Sequence, residues 1–118
     1  MAESEDAPVI IIDTNRIFGW DTFHSVFAEA CGFPGFYGAN MNAWIDCMTC
    51  IDDVDAGMTK VHCRNGHVAT LKLTDGTNFA LRCPEQFQAL VECAAFVNWR
   101  RLDQGQAAVL ALAFYKSK

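Results

Sequence analysis

The two ends of this chain constrain its fold most. "APVIIID" (7–13) and "AAVLALAFY" (107–115) are short, unbroken apolar runs, the first rich in β-branched residues. A strand with one wet face alternates apolar and polar positions. An unbroken run predicts a strand buried on both faces, as in a parallel sheet. Parallel strands need long crossover connections, usually helical. The chain between the runs supplies them: helical spacing predicts helices over 21–32, over 40–53 and from Cys83 to Leu102. A right-handed path through these helices places the terminal strands side by side and parallel. The expected class is α/β, a small parallel β-sheet covered by helices.

Local punctuation supports these elements. Asp21 is the expected cap of the first helix, with Gly32 and Pro34-Gly35 ending it, and Asn40 caps the second. Pro84 suits the first turn of the last helix, and Arg100-Arg101 its last turn, where cations favour the dipole. "VATLKL" (68–73) and "TNFALRC" (77–83) alternate around Asp75-Gly76, which signals a β-hairpin. Residues 54–83 are therefore expected to form an extra hairpin insertion. At 118 residues, with 52% apolar and 19% charged residues, the chain fits one globular domain over 8–118 behind a disordered acidic tail at 1–7.

Charge excludes some functions. Residues 17–59 carry Asp21, Glu29, Asp46, Asp52, Asp53 and Asp55 but no Lys or Arg, in a chain of net charge -5. That block argues against nucleic acid and favours a basic partner. No apolar run is long enough to span a membrane, and the acidic start "MAESEDAP" is unlike a signal peptide. A cytoplasmic protein with six reduced thiols (Cys31, Cys47, Cys50, Cys63, Cys83, Cys93) is expected.

The spacing Cys47-x2-Cys50-x12-Cys63-x3-His67, with His62 nearby, comes close to that of zinc ligands. The Cys pair falls inside a predicted helix rather than on a tight turn, so packing thiols are expected and a zinc module is the lesser alternative. No metal or cofactor is assigned. His24, His62 and His67 have no nucleophile at a motif spacing, and no phosphate-binding glycine loop is present, so the chain does not read as an enzyme. His24 is expected on the surface of the first helix.

The second helix stands apart. At about 100° per residue, Asn42, Asp46, Thr49 and Asp53 form a stripe about 60° wide. Met41, Trp44, Ile45, Met48 and Ile51 make a broad apolar face, and Ala43, Cys47 and Cys50 fill much of the rest. A helix packed on one side needs a narrower arc. Asp52, Asp53 and Asp55 crowd its C-terminal end, which the dipole disfavours by a few tenths to about 1 kcal/mol each.

The stretch "FPGFYGANMNAWIDCMTC" (33–50) resembles the signature of the barstar family, cytosolic inhibitors of secreted microbial ribonucleases. Pro34, Tyr37, Gly38, Asn40, Ala43, Asp46, Cys47 and Thr49 match in register. The resemblance implies a barstar-like fold and a monomeric bacterial immunity protein that plugs the active site of a basic extracellular ribonuclease. Asp46 would sit there as a phosphate mimic. Phe36, Tyr37, Gly38, Asn40, Met41, Asn42, Ile45 and Ile51 would surround it, and Glu92 would be the second functional acid, on the last helix. Asn42 stands where the family has an acid, and Trp44-Ile45 replaces its Leu-Trp pair. A non-inhibitory interaction domain on the same fold is the alternative.

Overall fold

The computed structural model describes residues 6–115, so the tail expected at 1–7 lies outside the described residues except for Asp6 and Ala7. Asp6 already belongs to the domain. Its carbonyl accepts a hydrogen bond from Arg64 N at 2.8 Å, and its carboxylate lies 3.6 Å from the Arg64 guanidinium.

In chain order the elements are β1 (Val9–Ile12), α1 (Trp20–Cys31), α2 (Met41–Thr49), β2 (Ala69–Leu73), α3 (Gly76–Arg82), α4 (Pro84–Asp103) and β3 (Leu110–Phe114). Single 3-10 turns lie at Thr14–Arg16 and Val54–Ala56. The three strands form one parallel sheet in the order β1-β2-β3, with Ile10 opposite Leu71 and Leu71 opposite Leu112. The α/β class with a parallel sheet and covering helices is therefore what the chain adopts.

The expected hairpin is not there. Residues 69–73 form the central strand of the sheet and separate the two terminal strands, which are not neighbours. Residues 76–82 form α3. Asp75-Gly76 opens that helix instead of a turn: Phe79 N donates to Asp75 O at 2.9 Å, and Gly76 N donates to Tyr115 O at 2.9 Å. Gly76 lies so close to β3 that an added Cβ would meet Phe114 Cδ1 at 3.1 Å. The alternation in "TNFALRC" misleads because only Phe79 and Cys83, four apart, are buried, while Leu81 is exposed. That is helical periodicity, not strand periodicity.

The terminal strands are also not buried on both faces. Ile10, Ile12, Ala69, Leu71, Leu73 and Leu110 share the core face, whereas Val9 and Ile11 are exposed on the other. The core face packs on the helices around Phe23, Phe27, Trp44 and Phe79, all wholly buried. Burial of each such side chain contributes about 1.5–3 kcal/mol.

At α1 the cap differs from the expected Asp21. Gly19 occupies the cap position, and the Thr22 hydroxyl accepts from Phe18 N at 2.7 Å and Gly19 N at 3.1 Å. Gly32 ends the helix at φ 73°, a left-handed conformation that glycine adopts without a side-chain clash. It is also packed against Lys60, whose Cβ lies 2.5 Å from where a Cβ on Gly32 would be.

Helix α4 ties the molecule together. Arg101 and Asp52 form a buried bidentate pair at 3.1 and 2.7 Å, with side chains only 4% and 8% exposed. The same guanidinium donates to Thr49 O at 2.8 Å and, through Nε, to Ala107 O at 2.7 Å. One turn earlier, Asn98 Oδ1 accepts from Val109 N and Leu110 N at 2.9 and 3.0 Å, and its Nδ2 donates to Leu110 O at 2.9 Å. The side-chain amide thus pairs with the start of β3 as a strand backbone would.

Arg101→Ala leaves Asp52 buried without its partner and should cost about 3–5 kcal/mol in urea denaturation. Arg101→Lys should recover little of that loss, because an ammonium cannot reproduce the planar fork. A loss below about 1 kcal/mol for Arg101→Ala would show that the pair does not hold α2 to α4.

Candidate functional site

The 36–49 loop and α2 bring most of the expected site residues together. Asn40 caps α2 as its sequence suggests: its Oδ1 accepts from Ala43 N at 2.8 Å, and its Nδ2 donates to Gly38 O at 3.3 Å. Gly38 sits tightly beneath that amide, with an added Cβ reaching 3.2 Å from Asn40 Nδ2. Between them Ala39 adopts φ 54°, a left-handed backbone in which a side chain costs roughly 1–2 kcal/mol. Strained backbone of this kind tends to cluster at functional sites. Nothing in the identity of an alanine signals it.

Tyr37 anchors the loop from inside. Its hydroxyl hydrogen-bonds to His24 Nδ1 at 2.6 Å, and its ring packs on Phe33 at 4.6 Å between centroids. His24 is therefore not the surface residue expected from α1 but a buried one, stacked on Trp20 and set edge-on to Phe23. An amphipathic side chain such as histidine does not fix which face of a helix it lies on until its partner, here Tyr37, is known. Burial lowers the His24 pKa, with Asp21 opposing. Burial pushes the Tyr37 pKa upward, and Cys47 and Cys31 add to it. Phe36, which precedes this anchor, is 76% exposed.

On α2, Trp44, Cys47 and Met48 are buried while Met41 and Ile45 are half-buried, so the broad apolar arc is satisfied by packing on several sides. Trp44 meets the edge of Phe27 at 5.7 Å, and its Nε1 is buried without a hydrogen-bond partner among the described residues. The helix ends at Thr49, short of the expected 53. Ile51 is wholly buried in the core, which corrects its expected place in a contact surface. Asp53 leaves the polar stripe and caps the following 3-10 turn, its carboxylate accepting from Asp55 N at 3.1 Å.

Asn42 and Asp46 remain as the exposed polar residues of α2. The Asp46 side chain is 63% exposed and lies 3.7 Å from the Arg100 guanidinium, which also donates to Thr49 Oγ1 at 3.2 Å. A loose, wet pair of this kind contributes little, about 0–1 kcal/mol, so Asp46 can exchange partners. Glu92 stands apart. It lies on α4 and accepts from Gln88 Nε2 at 2.7 Å, with no hydrogen bond or ion pair to the loop or to α2. Arg100 and Arg101, expected in the last turn of α4 only because cations favour the dipole there, are the bases that reach Asp46 and Asp52. An acid block with no base of its own was the signal that bases must arrive from elsewhere.

Among the described residues, no three His, Cys, Asp or Glu side chains converge as a metal centre would require. Cys47 is buried, and its pKa is pushed up to about 11 by burial, then by Asp46 and Cys50. Cys31 is pushed up to about 12 by burial and then by Cys47. Thiols so shifted stay protonated near neutrality and make poor ligands or nucleophiles. None of the described helices is long and apolar enough to cross a membrane. A hollow of about 260 Å³, lined by Trp20, His24, Ala39, Asn40 and Met41, flanks the loop.

Two measurements follow from these burials. The unfolded His24 binds a proton below about pH 6.5, whereas the folded one resists it. Stability should therefore be full above pH 6.5 and fall as pH drops from there through the lowered folded value. His24→Gln should flatten that decline in urea midpoints, and an unchanged decline would contradict the assignment. In native protein at neutral pH, Cys31 and Cys47 should alkylate far more slowly than after denaturation; equal rates, read by mass spectrometry, would contradict their burial.

Comparison with known proteins follows the same line. No curated protein matches the sequence. A family model described as "Barstar (barnase inhibitor)" matches residues 7–112, nearly the whole chain, and covers the loop, α2 and α4 described above. The chain belongs to the Barstar (barnase inhibitor) family.

Proposed function

We propose that this chain inhibits a basic ribonuclease by occluding its active site with the 36–49 loop and α2. It performs no chemistry of its own. The carrying observation is Asp46: a carboxylate 63% exposed, on a helix otherwise committed to the core and fixed at both ends. A ribonuclease binds a phosphate in a cationic site, and a rigidly presented carboxylate can occupy the same site. Phe36, Tyr37, Gly38, Asn40, Met41, Asn42 and Ile45 form the surrounding surface, and Glu92 contributes from α4 at the margin. Ile51 has no part in it. The base-free segment gives long-range attraction toward such a partner. A reduced intracellular setting and an immunity role in a bacterial host accompany this reading.

A second reading has one observation in its favour. Arg100 lies beside Asp46, and Asn42 and Ile45 stand where the family signature carries an acid and an aromatic. A domain that kept the fold but engages a partner other than a ribonuclease would tolerate all three features.

Affinity capture from the source culture, with wild type and Asp46→Ala as paired baits, separates the two readings. Ribonuclease activity should be retained by wild type and lost from Asp46→Ala, whose binding should be weaker by about 4 kcal/mol or more, as charged hot spots can be. Equal retention would overturn the role given to Asp46. Capture without ribonuclease activity would favour the second reading. Raised salt should slow association more than it speeds dissociation. Arg100→Gln should speed association, because it removes a like charge from the approaching face.

A further inference from the structure

Arg100 is out of keeping with the surface it joins. It reaches from the last turn of α4 to the exposed edge of α2, where a cationic partner is expected to land. Its guanidinium lies 3.7 Å from the Asp46 carboxylate, too far for a hydrogen bond. It donates to Thr49 Oγ1 at 3.2 Å and sits 5.8 Å over the ring of Phe96. Contacts on two helices therefore aim this side chain, which is still 36% exposed. The bond to Thr49 is its one hydrogen bond among the described residues and uses one of the guanidinium's five N–H groups. A planar fork with unused donors thus stands beside Asp46.

That placement works against a partner that offers only cations. Any group that closes on Asp46 comes within reach of Arg100 as well. A phosphate site built of Lys and Arg alone attracts the first and repels the second, and contact removes the water that would screen the repulsion. The pair suits a site of two signs, in which an anion adjoins the cations. Ribonuclease chemistry supplies such an anion. Cleavage by attack of the 2′-hydroxyl on phosphorus needs a general base within hydrogen-bond reach of that hydroxyl. The base therefore adjoins the cations that hold the phosphate. When it is a carboxylate, the site sets an anion beside cations. Asp46 and Arg100 present the complementary signs, side by side.

We propose that Arg100 is a specificity-determining residue that pairs with the carboxylate base of the ribonuclease while Asp46 occupies its phosphate site. The target is then a ribonuclease whose base is an Asp or Glu. A histidine base, protonated beside the arriving Asp46 carboxylate, would set a second cation against the guanidinium. Guanidinium and carboxylate can meet through two parallel N–H···O bonds, a geometry that an ammonium does not reproduce. This pairing rests on the occlusion by Asp46 proposed above and adds the second charge of the contact. Arg100 slows the approach, because the long-range field of a basic partner repels it. After contact it slows dissociation.

Binding kinetics on the ribonuclease captured by wild type test the pairing, with Arg100→Gln and Arg100→Lys each checked for folding by circular dichroism. Arg100→Gln should lose more in dissociation than it gains in association, for a dissociation constant about tenfold higher. Arg100→Lys should recover only part of that loss. The loss should vanish when one active-site carboxylate of the ribonuclease is replaced by its amide, and persist when the others are replaced. A purely structural role for Arg100 beside α2 would give the same loss on every ribonuclease variant, and that result overturns the proposal. So does Arg100→Gln that binds as tightly as wild type. If Asp46→Ala weakens binding while Arg100→Gln does not, Asp46 keeps its role and the pairing alone fails. If Asp46→Ala binds as tightly as wild type, or wild type captures no ribonuclease, occlusion by Asp46 fails and the pairing fails with it.

Discussion

One buried guanidinium holds the working parts of this molecule in place. Arg101 engages Asp52 through two bonds, the last carbonyl of α2 at Thr49, and the Ala107 carbonyl on the approach to β3. It therefore joins the end of α2, the turn after it, α4 and the connection into the sheet. Taking two charges out of water is costly, and attraction offsets the cost only when geometry is good and the remaining donors are satisfied. Four donor contacts on Arg101 meet that condition. The same pair answers the crowding of acids after α2. Asp52 is matched by a cation from a helix 49 residues further along the chain, and Asp53 is used as a cap.

Fixing α2 matters because of what the helix presents. Asn40 secures its first turn and Arg101 its last, while His24 holds Tyr37 and with it the preceding loop. Trp44, Cys47 and Met48 commit the inner face to the core. What remains outside is short and preorganised: Phe36, Asn42 and Asp46. A surface already in one conformation loses little entropy on binding, so more of its contact energy is available as affinity. Membership of the Barstar (barnase inhibitor) family and this presentation of one acid are consistent with each other.

Much of this was legible in the residues, for identifiable reasons. The cap at Asn40, the stop at Gly32 and the start at Pro84 depend on local stereochemistry, which neighbours in sequence decide. The projection that isolated Asn42 and Asp46 needed only the helical period. The place of β2 was not legible. A run of alternating residues beside Asp-Gly fits a hairpin as well as a central strand, and only the burial of Phe79 and Cys83 at helical spacing decides against the hairpin. Nor could the two faces of β1 be told apart, since Val9 and Ile11 are as apolar as Ile10 and Ile12 but point to the open side. His24, Arg100 and Arg101 take their roles from partners 13 to 52 residues away, a distance at which no local pattern carries information.

The central claim is that Asp46 takes the place of a phosphate. Competition measures it most directly: titrate the captured ribonuclease with this chain while a nucleotide monophosphate fills the ribonuclease active site. If the carboxylate and the phosphate share one site, the apparent dissociation constant rises in proportion to nucleotide concentration, and Asp46→Ala, bound weakly by its remaining contacts, loses most of that dependence. An affinity of the wild type that does not change as the nucleotide saturates would show that binding occurs elsewhere on the ribonuclease.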